Sequence, residues 1–323
     1  MGKVEGKTSV PGVAAVPLGG AAARASRRRL LDRESFLGPV MILPAVLYVL
    51  ALVGVPFGLS LYLAVSDAKI ASTGLGHFVG LANFTSVLRS PTFLRALANT
   101  FVFTLVSQVL VLVLAKILAT CLTKRFYGKS IVRFLILLPW VAPISLGTIG
   151  WKWMLDSLYS PVNWVLQALH IIPASSWPMW FGVRELAMAS VIGVHVWRLL
   201  PFATVIILAG LTSIPKEVEE ASAVDGAGFW SREFHIVLPL LRPILTVAGL
   251  FGIIFAFTDM TVIYVLTRGG PADGTQVLSS LAFFTGILGG DLAGGAAISL
   301  FLFPMLLIVA VVMLRIARRA EVA

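Results

Sequence analysis

Glu217, Glu219, Glu220 and Asp225 stand close together in EVEEASAVDGAG, residues 217–228, within a 323-residue chain that is 58% hydrophobic and only 12% charged. Carboxylates grouped in this way accept charge-assisted hydrogen bonds from a basic or polar surface. A second set of polar side chains, His195, Arg198 and Asp259, lies inside apolar runs. Charges in such runs mark a solute or ion path, or else tie two helices together. Neither set spells a His-rich metal motif or a Ser/His/Asp arrangement, so an intramembrane enzyme ranks below a transport role. A phosphate-binding loop is approached twice and missed: TKRFYGKS has Thr123, and MGKVEGKT has Met1, where the first glycine belongs.

The elements that must position these groups are dictated by lipid. A mean hydropathy of +0.96 accompanies an apolar content well above the roughly 45–50% of soluble domains. The net charge of +10 is scattered between hydrophobic runs, which is a topology signal and not a nucleic-acid surface. The lone Cys121 falls in an apolar run and reads as a small buried hydrophobe. Residues 1–35, rich in Gly, Ala and Arg, lack the apolar content to bury a core and read as a disordered cytoplasmic tail near anionic lipid. A cleavable signal peptide fits less well, because the charge-free run from Ser35 to Ser66 is far longer than a signal's apolar core and contains Pro39, Pro44 and Pro56.

Six stretches reach the roughly 20 residues that a helical span requires: 37–66, 97–122, 133–154, 186–212, 238–265 and 294–314. Two others, 157–183 and 274–290, are too broken or too short, and read as interfacial or partly inserted. Basic residues gather in the tail, around Lys124–Arg133, around Lys216–Arg242 and after Arg315. The positive-inside rule then places both termini, and the acidic stretch, in the cytoplasm. Within that stretch, Pro215 and the glutamates read as a helix start, and Gly226 and Gly228 as a sharp reversal into the fifth span. An amphipathic loop resting on headgroups is the plain alternative, but acids suit an anionic leaflet poorly, and a protein partner fits better.

The segment EEASAVDGAGFWSREFHIVLPLLRP, with Glu220, Ala221, Asp225, Gly226, Ala227, Phe234, Ile236, Leu238, Pro239 and Pro243, resembles the EAA loop of binding-protein-dependent ABC transporter permeases. Ser222 stands where that family prefers alanine. GLANFTSVLRSPTFLRALANTFVFT (80–104), VWRLLPFATVIILAGLTSIP (196–215) and FTDMTVIYVLTRGGPADGTQVL (257–278) resemble its carbohydrate branch, the maltose, glycerol-phosphate and multiple-sugar type. The resemblance covers about residues 36–318. It implies that the loop at about 213–236 is a coupling helix docking on a separate ATPase subunit through Glu217, Glu220, Ala221, Asp225 and Gly226.

For the solute path, Arg198 lies 17 residues before Pro215 and Asp259 lies 20 after Pro239. At 1.5 Å per residue, these positions lie about 25 and 30 Å from the cytoplasmic ends of their helices and can share a depth. His195, Arg198, Leu199 and Phe202 repeat at i, i+3, i+4 and i+7, as do Gly252, Phe255, Ala256 and Asp259. The resemblance implies that both faces border a sugar site, where hydroxyls meet polar groups and ring C–H faces rest on aromatics. An Arg–Asp pair that locks two helices, with His195 and the phenylalanines as packing, stays open beside it. Lys116 and Lys152 read as snorkelling or inter-subunit contacts.

The sequence thus predicts an all-α, polytopic membrane protein with six transmembrane helices, a tail over 1–35 and a membrane domain over 36–323; the resemblance implies that this is a permease domain of the prokaryotic plasma (inner) membrane. The resemblance implies a non-enzymatic permease subunit of an ATP-driven sugar importer that forms half of the translocation pathway and has no cofactor of its own. It also implies a second homologous permease subunit, two ATP-binding subunits that use ATP and Mg, and an extracytoplasmic solute-binding lipoprotein. A secondary transporter driven by an ion gradient is the alternative; it calls for internal repeats and several membrane acids, whereas Asp259 is the one intramembrane acid in the spans.

Overall fold

Backbone polar groups in lipid must be satisfied within their own segment, and the long apolar segments accordingly form helices. The computed structural model describes Gly2 and residues 34–321, Thr73 and Ala174 excepted. The tail predicted over 1–35 lies outside them apart from Gly2 and its last two positions. The chain divides into two compact units, Met1–Leu59 and Ser60–Ala323.

In the first unit, α1 (Glu34–Val49) passes through a π-helical turn (Leu50–Gly54) into the start of α2 (Val55–Ala64), and Gly38–Ala64 is long and apolar enough to cross a bilayer. The wide turn lies just before Pro56, which has no N–H to donate and whose ring crowds the preceding turn.

The second unit continues through α3 (Ala82–Arg89) to the long α4 (Pro91–Thr123). Asn83 of α3 donates to the Ala64 and Ser66 carbonyls at 2.9 and 2.7 Å, closing the end of α2. Ser90 Oγ accepts the Phe93 N–H and Pro91 occupies the first turn, which is why α4 begins there. Next come α5 (Lys129–Val141), α6 (Ile144–Met154), the short α7 (Pro161–Ala168) and α8 (Arg184–Ser213). They lead to α9 (Lys216–Val224), α10 (Phe229–Arg232), a second π-helical turn (Glu233–Val237) and α11 (Leu238–Thr258). The chain closes with α12 (Thr261–Leu266), α13 (Leu278–Phe283) with a third π-helical turn (Phe284–Leu288), and α14 (Leu292–Glu321).

Among the described residues, five helices have span length and composition: Gly38–Ala64, Pro91–Thr123, Arg184–Ser213, Phe229–Thr258 and Leu292–Ala317. The stretch expected to be a sixth, 133–154, is α5 and α6 meeting at a 99° bend. Proline explains the break: Pro143 holds Ala142 in an extended conformation, φ −64° and ψ 140°, and denies the helix an N–H. The two doubtful stretches hold no span-length helix. α7 is the helix in 157–183, while in 274–290 Thr275, Leu278 and Ser280 are fully buried and α13 packs against α14 and α4.

The core lies where α4 meets α8. Phe103, Val111, Ala115 and Ala119 of α4 pack on Val191, Leu199, Ala203 and Ile207 of α8, with Ala256 of α11 and Val262 of α12 alongside. The small residues let the backbones approach closely. At its N-terminal end α4 also fixes the Thr267–Leu278 loop. Asn99 Nδ2 donates to the Asp273 and Gln276 carbonyls at 3.1 and 2.9 Å, Arg95 to the Ala272 carbonyl at 2.8 Å, and Thr100 Oγ1 accepts the Leu278 N–H at 2.9 Å. Two of the segments singled out in the sequence, 80–104 and 257–278, are therefore stitched together in space.

Candidate functional site

The acidic elbow is built from its helix ends. α9 begins after Pro215 and ends at Asp225, where Gly226 takes the left-handed conformation, φ +77°. The Ala227 N–H then reaches the Ser222 carbonyl at 3.0 Å and the Gly226 N–H the Ala223 carbonyl at 3.1 Å, a Schellman closure that satisfies the last carbonyls of α9. Gly228, expected to share the reversal, is extended with φ −66°, a conformation open to any residue, so Gly226 alone uses glycine's freedom. Ser222 is buried, whereas Glu217, Glu220, Ala221 and Val224, spaced i, i+3, i+4 and i+7, share an exposed face. Asp225 and Gly226 are exposed beside them. Val224, 88% exposed, extends the same face beside Ala221.

A second group lies between α5, α8 and α11. Asp259 Oδ2 sits 2.7 Å from His195 Nδ1 and 3.6 Å from an Arg198 guanidinium nitrogen. Asp259 is not on the helical face that the spacing predicted. α11 stops at Thr258, and Asp259 Oδ1 instead accepts the Val262 N–H at 3.2 Å, capping the first turn of α12. The capping explains why the helix breaks inside the stretch expected to be one span, 238–265. His195 is fully buried, with Phe103 edge-on to its ring, 4.9 Å between centroids. Leu199 and Ala256 belong to the core, while Phe202 and Phe255 remain half-buried in edge contact at 5.6 Å.

Two contributors escaped the sequence reading. Trp140 stacks on Phe202 at 4.8 Å, meets Phe255 edge-on at 5.7 Å and lies 6.0 Å from the Arg198 guanidinium carbon, within cation–π reach. Gln108, a lone amide amid aliphatic residues, rests against Gly252; a Cβ there would overlap its amide. Gln108 Nε2 and Oε1, Thr104 Oγ1, Ser190 Oγ and His195 Nε2 are buried without hydrogen-bond partners. Finally, Lys116 Nζ lies 2.7 Å from Glu233 Oε1, so it is held within this chain, whereas Lys152 is exposed.

Residues 112–322 match the family described as "Binding-protein-dependent transport system inner membrane component". The chain is 35% identical over 294 residues to the trehalose/maltose transport system permease protein MalF of Thermococcus litoralis, covering 90% of this chain and 96% of that one. It is 30% identical over 288 residues to the sulfoquinovosyl glycerol transport system permease protein SmoG of Agrobacterium fabrum, covering 89% and 92%. Among solved structures, a bacterial ABC transporter involved in the import of the acidic polysaccharide alginate superposes with a TM-score of 0.75 at 20% identity, over 92% of this chain and 99% of that one. At that identity the likeness is one of fold.

Proposed function

Because this chain belongs to the binding-protein-dependent transport system inner membrane component family, we propose that it is the permease subunit of an ATP-driven sugar importer, docking its ATPase through the exposed face of α9. It is a multi-pass inner-membrane transport subunit, not an enzyme. The observation that carries the docking assignment is the outward face Glu217, Glu220, Ala221 and Val224, held rigid by the Gly226 closure. Such a face presents carboxylates to basic groups and an alanine where a partner must come close. The distribution of Lys and Arg supports a cytoplasmic placement for this elbow and for both termini. The ATPase subunits use ATP and Mg, a second permease subunit completes the pathway, and a solute-binding protein delivers the sugar from outside.

Sugar chemistry suits the second group. Trp140, Phe202 and Phe255 offer half-exposed rings for C–H faces, and Arg198, 24% exposed, offers donors to hydroxyls. Asp259, itself held by His195, faces that guanidinium. The relatives named for trehalose, maltose and a sulfoquinovosyl glycerol support a di- or oligosaccharide or sugar-like polyol. Uptake of labelled trehalose into proteoliposomes holding the complete complex tests this reading. Uptake is expected to require internal ATP, to survive collapse of ion gradients, and to show a raised half-saturation in Phe255→Ala. Uptake that continues without ATP under an imposed ion gradient would sink it.

A further inference from the structure

α4 connects the two ends of the molecule that an importer has to link. Near its C-terminal end Lys116 pairs with Glu233, the first residue of the π-helical turn that leads from α10 into α11. The two side chains are only 14% and 15% exposed, and apart from Thr120 their groove of about 580 Å³ is largely apolar, lined by Leu112, Phe229, Phe234 and Leu245. The ammonium is held in place beforehand: it donates to Thr120 Oγ1 at 2.9 Å, and that hydroxyl donates to the Lys116 carbonyl. Separating two charges in apolar surroundings is far costlier than separating them in water, so the π-helical turn and α4 are bound to move together. At the other end of the same helix, Asn99 and Arg95 hold the backbone of the Thr267–Leu278 loop. From Asn99 to Lys116 the helix spans about 25 Å at 1.5 Å per residue.

We propose that the Lys116–Glu233 pair is the positioning contact through which movement of the α9 elbow passes into α4 and on to the Thr267–Leu278 loop. This rests on the assignment of α9 to the ATPase subunit. Lys116 and Glu233 act as positioning residues and determine which helix the elbow drives. A purely structural pair would hold the fold together without affecting how hydrolysis responds to the outer face.

The test uses the complete complex in proteoliposomes and measures ATP hydrolysis with and without its solute-binding protein carrying trehalose. Lys116→Met and Glu233→Gln are each expected to assemble normally and keep basal hydrolysis, while stimulation falls at least about fivefold, the low end of coupling between sites. The exchanged pair, Lys116→Glu with Glu233→Lys, is expected to recover most of the stimulation. Unchanged stimulation in the single variants, loss of assembly, or an exchanged pair as impaired as the single variants would overturn the proposal. Failure of the wild-type complex to respond would overturn the functional reading and this inference together, whereas a responsive wild type with indifferent variants overturns only this inference.

Discussion

Gly226 shows how much a single residue decides. Its left-handed backbone lets two N–H groups close the end of α9, and a side chain there costs about 1 kcal/mol or more. Gly226→Val is expected to leave the spans intact but loosen the elbow, seen as reduced co-purification of the ATPase subunit with unchanged membrane insertion; full co-purification would count against a rigid elbow. This residue was legible in the sequence because its role is local: a helix stop is written in the few residues around it. Trp140 and Gln108 were not legible, since their roles depend on neighbours from α8 and α11 that no local pattern identifies. Asp259 was half legible. Its depth agreed with Arg198, but its conversion from a helical face into a cap depends on α12 restarting immediately after it.

At the scale of elements, length and apolarity mark spans well because the bilayer's thickness fixes the requirement. They fail where protein replaces lipid as the apolar surrounding. The 274–290 stretch is apolar because α13 packs within the fold, and the run through Asp259 is apolar because α12 is buried as well. The 99° bend between α5 and α6 was signalled by Pro143, yet the same residue is compatible with a mere kink. Contact between α4 and α11 offers a direct check on packing. Gly252→Ala would push its methyl into the buried Gln108 amide and is expected to cost about 1–3 kcal/mol, as overpacking does. Thermal unfolding in detergent would show it, with Gln108→Ala restoring most of the loss; a neutral Gly252→Ala would refute the contact.

Within the second unit, the proposed roles fall on separate parts of the helices. An acidic elbow projects from one end of the helices, an Arg–Asp–His group with aromatic neighbours lies between α5, α8 and α11, and α4 runs from the elbow's groove to the stapled loop at its other end. The order of these parts along the chain was readable from four short segments, but their joining was not, because each joint brings together residues far apart in sequence. The account stands on α9 as the grip for an ATPase carried by other chains. Glu220→Lys in the complete complex measures this most directly, since it reverses charge on an exposed side chain without disturbing the core. The expected result is loss of most ATPase-subunit co-purification and of ATP-dependent uptake, with normal amounts of this subunit in the membrane. Wild-type co-purification and uptake in that variant would contradict the account.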